Sequence, residues 1–309
     1  MKLTLIRTAS RRWKVCLAFV GILIMLWLLA SFAVAYRLTR RSRPIFAEPA
    51  PSLDWGVLEP LRLTTRDGLD LGAWLLPGRA DAPSVVLIHG YSGSRLRCLD
   101  RGWIYAGAGS SVLMVSLRAH GDSAGEFNDI GFGARRDVIA AVEFLERRRP
   151  GRPILIHGLS LGAAAAVFAS GELGGRVRDY VLESPFKDLK TAVRNRLENH
   201  LPPVLDWFAY QGLLLVSHWV IPHLDEISPV KAIDGIPGDI PVLIMAGDRD
   251  TRARPDEARS ICDRVQTHAS LSVYEGAGHL EHLAKDPDRF RDEILGFLHQ
   301  ASSKNSQSN

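Results

Sequence analysis

The chain of 309 residues predicts a doubly wound α/β domain with a mostly parallel sheet, preceded by one transmembrane helix. Two observations carry this. Short, continuously apolar β-type runs alternate with helix-patterned segments from residue 57 onward, the pattern of a parallel sheet covered on both faces. Ahead of them, residues 15–36 contain no charged side chain. As a helix with a rise of about 1.5 Å per residue they reach about 33 Å, enough for a hydrocarbon core of about 30 Å.

The N-terminal span is framed by Trp13 and Tyr36, amphipathic aromatics that favour the membrane interface. Its length and unbroken apolarity argue against a buried core helix. A cleaved signal peptide is the closer rival, since Ala33-Val34-Ala35 resembles a cleavage site, but the apolar stretch exceeds the usual 7–15 residues of such a peptide. An uncleaved anchor at 15–36, with a basic flank at 1–14, is therefore expected. Lys2, Arg7, Arg11, Arg12 and Lys14 precede the span and Arg37, Arg40, Arg41 and Arg43 follow it. This small excess places the N-terminus inside and the following domain outside the cytoplasm.

Charge divides at the same point. Nine of the 38 Lys and Arg lie before residue 44, where there is no acid, leaving 29 basic against 34 acidic residues. The domain is thus mildly acidic, and no nucleic-acid partner is expected. Of three cysteines, Cys16 falls in the apolar span; Cys98 and Cys262 are read as free thiols, with a single bridge between them left open. No Cys/His cluster has metal-ligand spacing, so no metal site is expected.

Residues 37–54, with their Pro-rich 44–51, read as a short stiff linker, and 55–300 as one domain of roughly 245 residues. Polar residues 301–309 read as a disordered tail. Within the domain, strands are expected at 57–65, 69–76, 84–89, 111–117, 153–157, 177–183, 240–246 and 270–274. The first two bracket Arg66-Asp67-Gly68, a hairpin signal. Helices are expected near 95–107, 132–149, 161–174, 255–267 and 283–299. Ligands of such sheets sit beyond the carboxyl ends of the strands.

Three motifs stand at such ends. Gly158-Leu159-Ser160-Leu161-Gly162 lies between the fifth strand and a helix, the context of a strained turn that lifts a serine hydroxyl clear of the sheet. Gly247-Asp248-Arg249-Asp250 and Gly276-Ala277-Gly278-His279 follow the last two strands. A serine hydroxyl needs a base, and the base an orienting acid, and the chain supplies them in the order Ser, Asp, His. With Leu87-Ile88-His89-Gly90-Tyr91-Ser92-Gly93 and Arg118-Ala119-His120-Gly121-Asp122-Ser123-Ala124-Gly125, these pieces resemble the α/β-hydrolase superfamily over nearly all of 55–300. The resemblance is to the branch holding serine-aminopeptidase-like and monoacylglycerol-lipase-like hydrolases.

That resemblance implies Ser160 as nucleophile, His279 as general base and then acid, and Asp250 as orienting carboxylate. Asp248 is the rival acid, set aside by the family's Gly-x-x-Asp spacing, and His282 the rival base, set aside for a helix start. The backbone N–H groups of Tyr91 and Leu161 would form the oxyanion hole. His89, His120 and His157 are read as structural, and Ala119 stands where glycine is usual, a departure that touches loop shape. The long excursion before residue 240 implies a helical lid at about 187–238. Residues 201–222 are apolar but carry Asp206, Gln211 and His218, which suits two short amphipathic helices better than a second span. Trp207, Phe208, Tyr210 and Trp219 there would form an acyl pocket, dip toward the membrane, or pack the lid onto the domain. The expected activity is hydrolysis of an ester, thioester or amide of a small apolar acyl substrate, esterase- or lipase-like, without cofactor. A peptidase, an acyltransferase and a silent membrane-tethered binding protein are the alternatives.

Overall fold

The computed structural model describes residues 2–305; Met1 of the basic flank and residues 306–309 of the expected tail lie outside the described residues. Eight strands form one sheet: β1 (Glu59–Thr64), β2 (Asp70–Leu76), β3 (Ser84–Ile88), β4 (Ser111–Val115), β5 (Ile154–Leu159), β6 (Asp179–Glu183), β7 (Val242–Gly247) and β8 (Ala269–Tyr274). Their order is β1-β2-β4-β3-β5-β6-β7-β8. β1 pairs with β2, and β2 with β4, in antiparallel fashion, and all other pairs are parallel.

The helices are α1 (Lys2–Leu38), α2 (Leu99–Gly107), α3 (Arg135–Arg148), α4 (Leu161–Leu173), α5 (Leu189–Glu198), α6 (Pro203–Val220), α7 (Pro229–Ala232), α8 (Pro255–Arg264), α9 (His282–Lys285) and α10 (Pro287–Asn305). The last runs five residues into the stretch expected as a tail. A single helix is expected near 283–299, but Pro287 lacks the N–H a continuous helix would use, and the segment divides into α9 and α10 there.

Strand periodicity explains the two-sided core. On β3, Val86 and Ile88 face one cluster and Val85 and Leu87 the other; on β7, Ile244 and Ala246 oppose Leu243 and Met245. α4 is almost free of polar side chains (LGAAAAVFASGEL) and is buried along most of its length, its alanines allowing close approach to the sheet.

The N-terminal part departs most from expectation. Residues 13–38 are long and apolar enough to cross a membrane, and almost none of that surface is buried. The helix is not isolated, however. Its C-terminal half lies beside α6: Trp27 Nε1 donates to the Phe208 carbonyl at 3.2 Å, and a Cβ at Gly212 would meet Trp27 Nε1 at 2.9 Å. Residues 37–54 are not a free linker. Asn128 N–H donates to the Thr39 carbonyl at 2.8 Å and Arg41 N–H to the Glu126 carbonyl at 2.9 Å. The Arg41 guanidinium donates to the carbonyls of Gly121, Ser123 and Gly125. Further on, Glu48 is buried and accepts from Ser116 Oγ at 2.7 Å and from Arg95 at 3.1 Å. A carboxylate in the stretch read as a linker is thus one member of an ion-pair group with Arg95 and Asp122.

Between β6 and β7, residues 201–222 form not two short helices but one, α6, of 18 residues, started by Pro203 in its first turn.

Candidate active site

β5 ends in Gly158-Leu159, and Ser160 turns the chain into α4 with φ 52° and ψ −106°, a left-handed backbone costing about 1–3 kcal/mol outside glycine. The neighbours make this turn possible. A Cβ at Gly158 would stand 2.5 Å from the Gly162 carbonyl carbon, and one at Gly162 would collide with the Ile88 carbonyl. Ser160 N–H is fixed by the Glu183 carbonyl at 2.8 Å, and the hydroxyl is left facing the cleft.

Asp250 and His279 arrive from the ends of β7 and β8. His279 Nδ1 lies 2.7 Å from Asp250 Oδ2, and His279 Nε2 lies 3.0 Å from Ser160 Oγ. With Asp250 ionised, Nδ1–H donates to it, and Nε2 is left to accept from the serine hydroxyl. The second oxygen, Asp250 Oδ1, accepts from the N–H groups of Arg252 at 2.8 Å and Ala253 at 3.0 Å. Burial alone would raise the Asp250 carboxyl, but the hydrogen bond and charge of His279, with these two backbone donors, outweigh it and hold the group below its ordinary value. Asp248 takes a different part: exposed, it accepts from Gly276 N–H at 2.7 Å and caps the loop that delivers His279.

Tyr91 and Leu161 both line the cleft with Ser160, and among the described residues neither backbone N–H has an acceptor within the protein. Two neutral imidazoles shape the loop carrying Tyr91. His89 Nε2 accepts from Leu117 N–H at 3.0 Å while its Nδ1–H donates to the Gly90 carbonyl at 2.7 Å. His120 Nδ1–H donates to the Arg118 carbonyl at 2.8 Å, and its Nε2 accepts from Ser92 N–H at 3.3 Å. Burial is the main cause that pushes His89 down to about 3. Ala119 adopts φ 59°, so the loop keeps the left-handed turn without glycine.

The cleft has a volume of about 690 Å³. Its apolar wall comes from Phe186, from Leu189 and Val193 of α5, and from Ile130, while Leu38, the last residue of α1, closes another side. Tyr91 Oη donates to the Leu38 carbonyl at 3.1 Å. Of the three roles open to the aromatics of residues 201–222, the acyl pocket is not the one seen: none of the four lines the cleft. Trp207, Phe208 and Trp219 on α6 are 52%, 51% and 76% exposed, and Tyr210 stacks near Arg194. The segment is helical, though as one helix and not two; which of its faces would find a partner was not encoded in spacing.

Sequence reasoning missed a second assembly beneath the first. Glu183, at the end of β6, accepts from Arg101 at 2.9 and 2.7 Å, from His157 Nε2 at 2.7 Å and from His282 Nδ1 at 3.1 Å. Arg101 also reaches toward the Leu280 carbonyl at 3.5 Å, beside His279. A glutamate closing the apolar run Tyr180-Val181-Leu182 at the end of β6 was the available signal.

The family model described as the alpha/beta hydrolase family matches residues 85–293, more than half of the chain and the whole of this arrangement. The chain belongs to the alpha/beta hydrolase family. The chain is 24% identical over 207 residues to Protein bem46 of Schizosaccharomyces pombe, a match covering 64% of the chain and 62% of the relative. It is also 24% identical over 190 residues to an uncharacterized membrane protein of Saccharomyces cerevisiae, covering 59% of the chain and 66% of the relative. The chain therefore spans just under two thirds of the length of the curated relatives it matches. Among solved structures, the Pyrococcus furiosus esterase Pf2001 superposes with a TM-score of 0.69 at 22% identity, covering 86% of this chain and 98% of the esterase, a likeness of fold.

Proposed function

We propose that this hydrolase is a membrane-anchored serine hydrolase that cleaves an ester, thioester or amide of an apolar acyl compound, with esters the first choice. The observation that carries the reading is the unbroken relay from Asp250 through His279 to Ser160, at 2.7 and 3.0 Å, on a cleft that also presents two unpaired backbone N–H groups. Ser160 Oγ attacks the acyl carbon as its proton passes to His279 Nε2. The N–H groups of Tyr91 and Leu161 stabilise the oxyanion, a donor of this kind contributing about 3 kcal/mol. The tetrahedral intermediate collapses as His279 returns the proton to the leaving oxygen, sulfur or nitrogen, leaving Ser160 acylated. Water, deprotonated by His279, then attacks the acyl carbon and frees Ser160 with the acid product. Asp250 keeps the proton on Nδ1, so that Nε2 is always the nitrogen that exchanges.

Residues 15–36 serve as the anchor, in keeping with the membrane setting named for the Saccharomyces cerevisiae relative. α5 and α6 act as the lid, α5 forming the acyl wall while α6 turns Trp207, Phe208 and Trp219 outward beside the anchor. The test is fluorophosphonate labelling of the full-length chain with mapping of the modified peptide. The expected result is labelling at Ser160 that disappears in Ser160→Ala; equal labelling of folded Ser160→Ala would overturn the assignment.

A further inference from the structure

The cleft around Ser160 carries more positive charge than its surroundings balance. Five arginines line it, Arg43, Arg97, Arg101, Arg196 and Arg252, against a single carboxylate, Asp100. Arg101 is neutralised from below by Glu183 at 2.7 Å. The other four are exposed, and among the described residues none has a carboxylate oxygen within 4.0 Å. Several arginines elsewhere on the surface are paired. Arg62 pairs with Asp70 at 2.8 Å, Arg176 with Glu146 at 2.5 Å, Arg254 with Glu198 at 2.5 Å and Arg289 with Glu293 at 2.8 Å. Arg147 on α3 and Arg259 on α8 also lack a carboxylate partner among the described residues, but they lie outside the cleft; what sets the mouth apart is that four such arginines gather there against one carboxylate.

They also come from four separate parts of the chain. Arg43 follows α1, Arg97 precedes α2, Arg196 stands on α5 and Arg252 follows Asp250. The Arg196 guanidinium lies 5.7 Å from the Tyr91 ring, and the backbone N–H of Arg252 is bonded to Asp250. Both are thus held next to the residues that surround the reacting acyl group. Guanidinium groups suit phosphate and carboxylate oxygens through paired, charge-assisted hydrogen bonds, and several of one sign in a cleft concentrate anionic ligands.

We propose that this arginine rim selects acyl substrates bearing an anionic group, a phosphate or a carboxylate, close to the scissile acyl bond. The proposal rests on the serine-hydrolase reading and adds the substrate's charge to it. The apolar wall of Phe186, Leu189 and Val193 takes the acyl chain, and the rim takes the charged end.

The experiment compares matched neutral and anionic substrates on the full-length protein, monoacylglycerol against monoacylglycerol phosphate. A butyryl pair is used in solution and an oleoyl pair in phosphatidylcholine vesicles, with release of the acid as readout. The anionic member should have the higher kcat/KM, by about tenfold or more at low salt, and the ratio should shrink as ionic strength rises. A preference in the vesicle arm assigns a lipid headgroup as the anion, and a preference confined to the soluble arm assigns a small soluble phosphate ester. Arg196→Gln and Arg252→Gln should each lower the anionic-to-neutral ratio by about fivefold, and Arg196→Lys should recover part of it. Arg147→Gln, on α3, should leave the ratio where it was. A ratio near one that none of the rim variants changes, with the neutral ester cleaved and Ser160 labelled, overturns the rim and leaves the hydrolase standing. No cleavage of either ester and no labelling at Ser160 removes the ground for both.

Discussion

Two carboxylate–imidazole assemblies lie within a few residues of one another and differ in what they are open to. In one, Asp250 holds His279, whose far nitrogen faces Ser160 and the cleft, and the imidazole keeps 16% of its side-chain surface exposed. In the other, Glu183 holds His157 and His282, and all three side chains are sealed from solvent. Glu183 also carries its own permanent counter-charge in Arg101. His157 is pushed down by burial, against the pull of Glu183, so it stays a neutral donor through Nε2–H and accepts from Tyr105 through Nδ1. Every polar atom of His157 is committed. The same pair of groups thus leaves a nitrogen facing Ser160 in one assembly and forms a sealed clamp in the other, where the one uncommitted nitrogen, His282 Nε2, is buried away from any nucleophile.

The largest effect should come from breaking the open assembly. Asp250→Asn, measured by kcat on any ester the enzyme accepts, should lose about 10⁴-fold, because Nδ1–H no longer faces an ionised acceptor. Glu183→Gln should invert that pattern. Removing one charge of a buried pair leaves Arg101 uncompensated, at a cost of about 3–5 kcal/mol, so Tm should fall by roughly 10 °C, with a far smaller loss of turnover per folded molecule than in Asp250→Asn. A catalytic loss as large as that of Asp250→Asn would show the two assemblies to be one machine.

Acid should act through the buried imidazoles. For Glu183 burial alone would raise the carboxyl, but Arg101 and the hydrogen bonds from His157 and His282 hold it well below its ordinary value; His89 is pushed down to about 3 from 6.5. Each of these folded values is depressed, so the stability each contributes is complete above the unfolded value and is lost as pH falls. For His89 the window runs from pH 6.5 to about 3, at about 1.4 kcal/mol per pH unit. Thermal denaturation across that window should show Tm declining with acid, and His89→Gln should flatten the decline. The smallest effect belongs to Asp248→Asn. Its loss of an exposed cap on Gly276 should change kcat by less than tenfold, and a loss matching Asp250→Asn would exchange the two acids.

What was legible in the chain follows the range of the interactions. The parallel strands could be read because each is a continuous apolar run buried on both faces, a local property. The open assembly could be read because Ser160, Asp250 and His279 each sit at a strand end beside glycine. The Glu183 clamp could not, since its partners lie 82 and 26 residues before it and 99 residues after it, and none carries a local marker of the pairing. Glu48 was hidden in the same way, a lone acid in a proline-rich stretch whose partner Arg95 is brought to it by folding. The aromatics of α6 show the converse limit: amphipathic spacing identifies a helix but not the surface opposite its apolar face.

The backbone hydrogen bonds from Asn128 and Arg41, on either side of the strand-like contact at Arg40, have a mechanical consequence. A tether lets its cargo swivel; a helix bonded to the cargo within three residues of its end transmits rotation instead. The domain turns only as α1 turns, and the mouth keeps one fixed bearing about the helix axis. Cutting the chain at Trp55 would therefore not release a finished domain from its leash. It would remove Glu48 from Arg95 and Arg41 from its three carbonyls, and take out Leu38, a piece of the cleft wall.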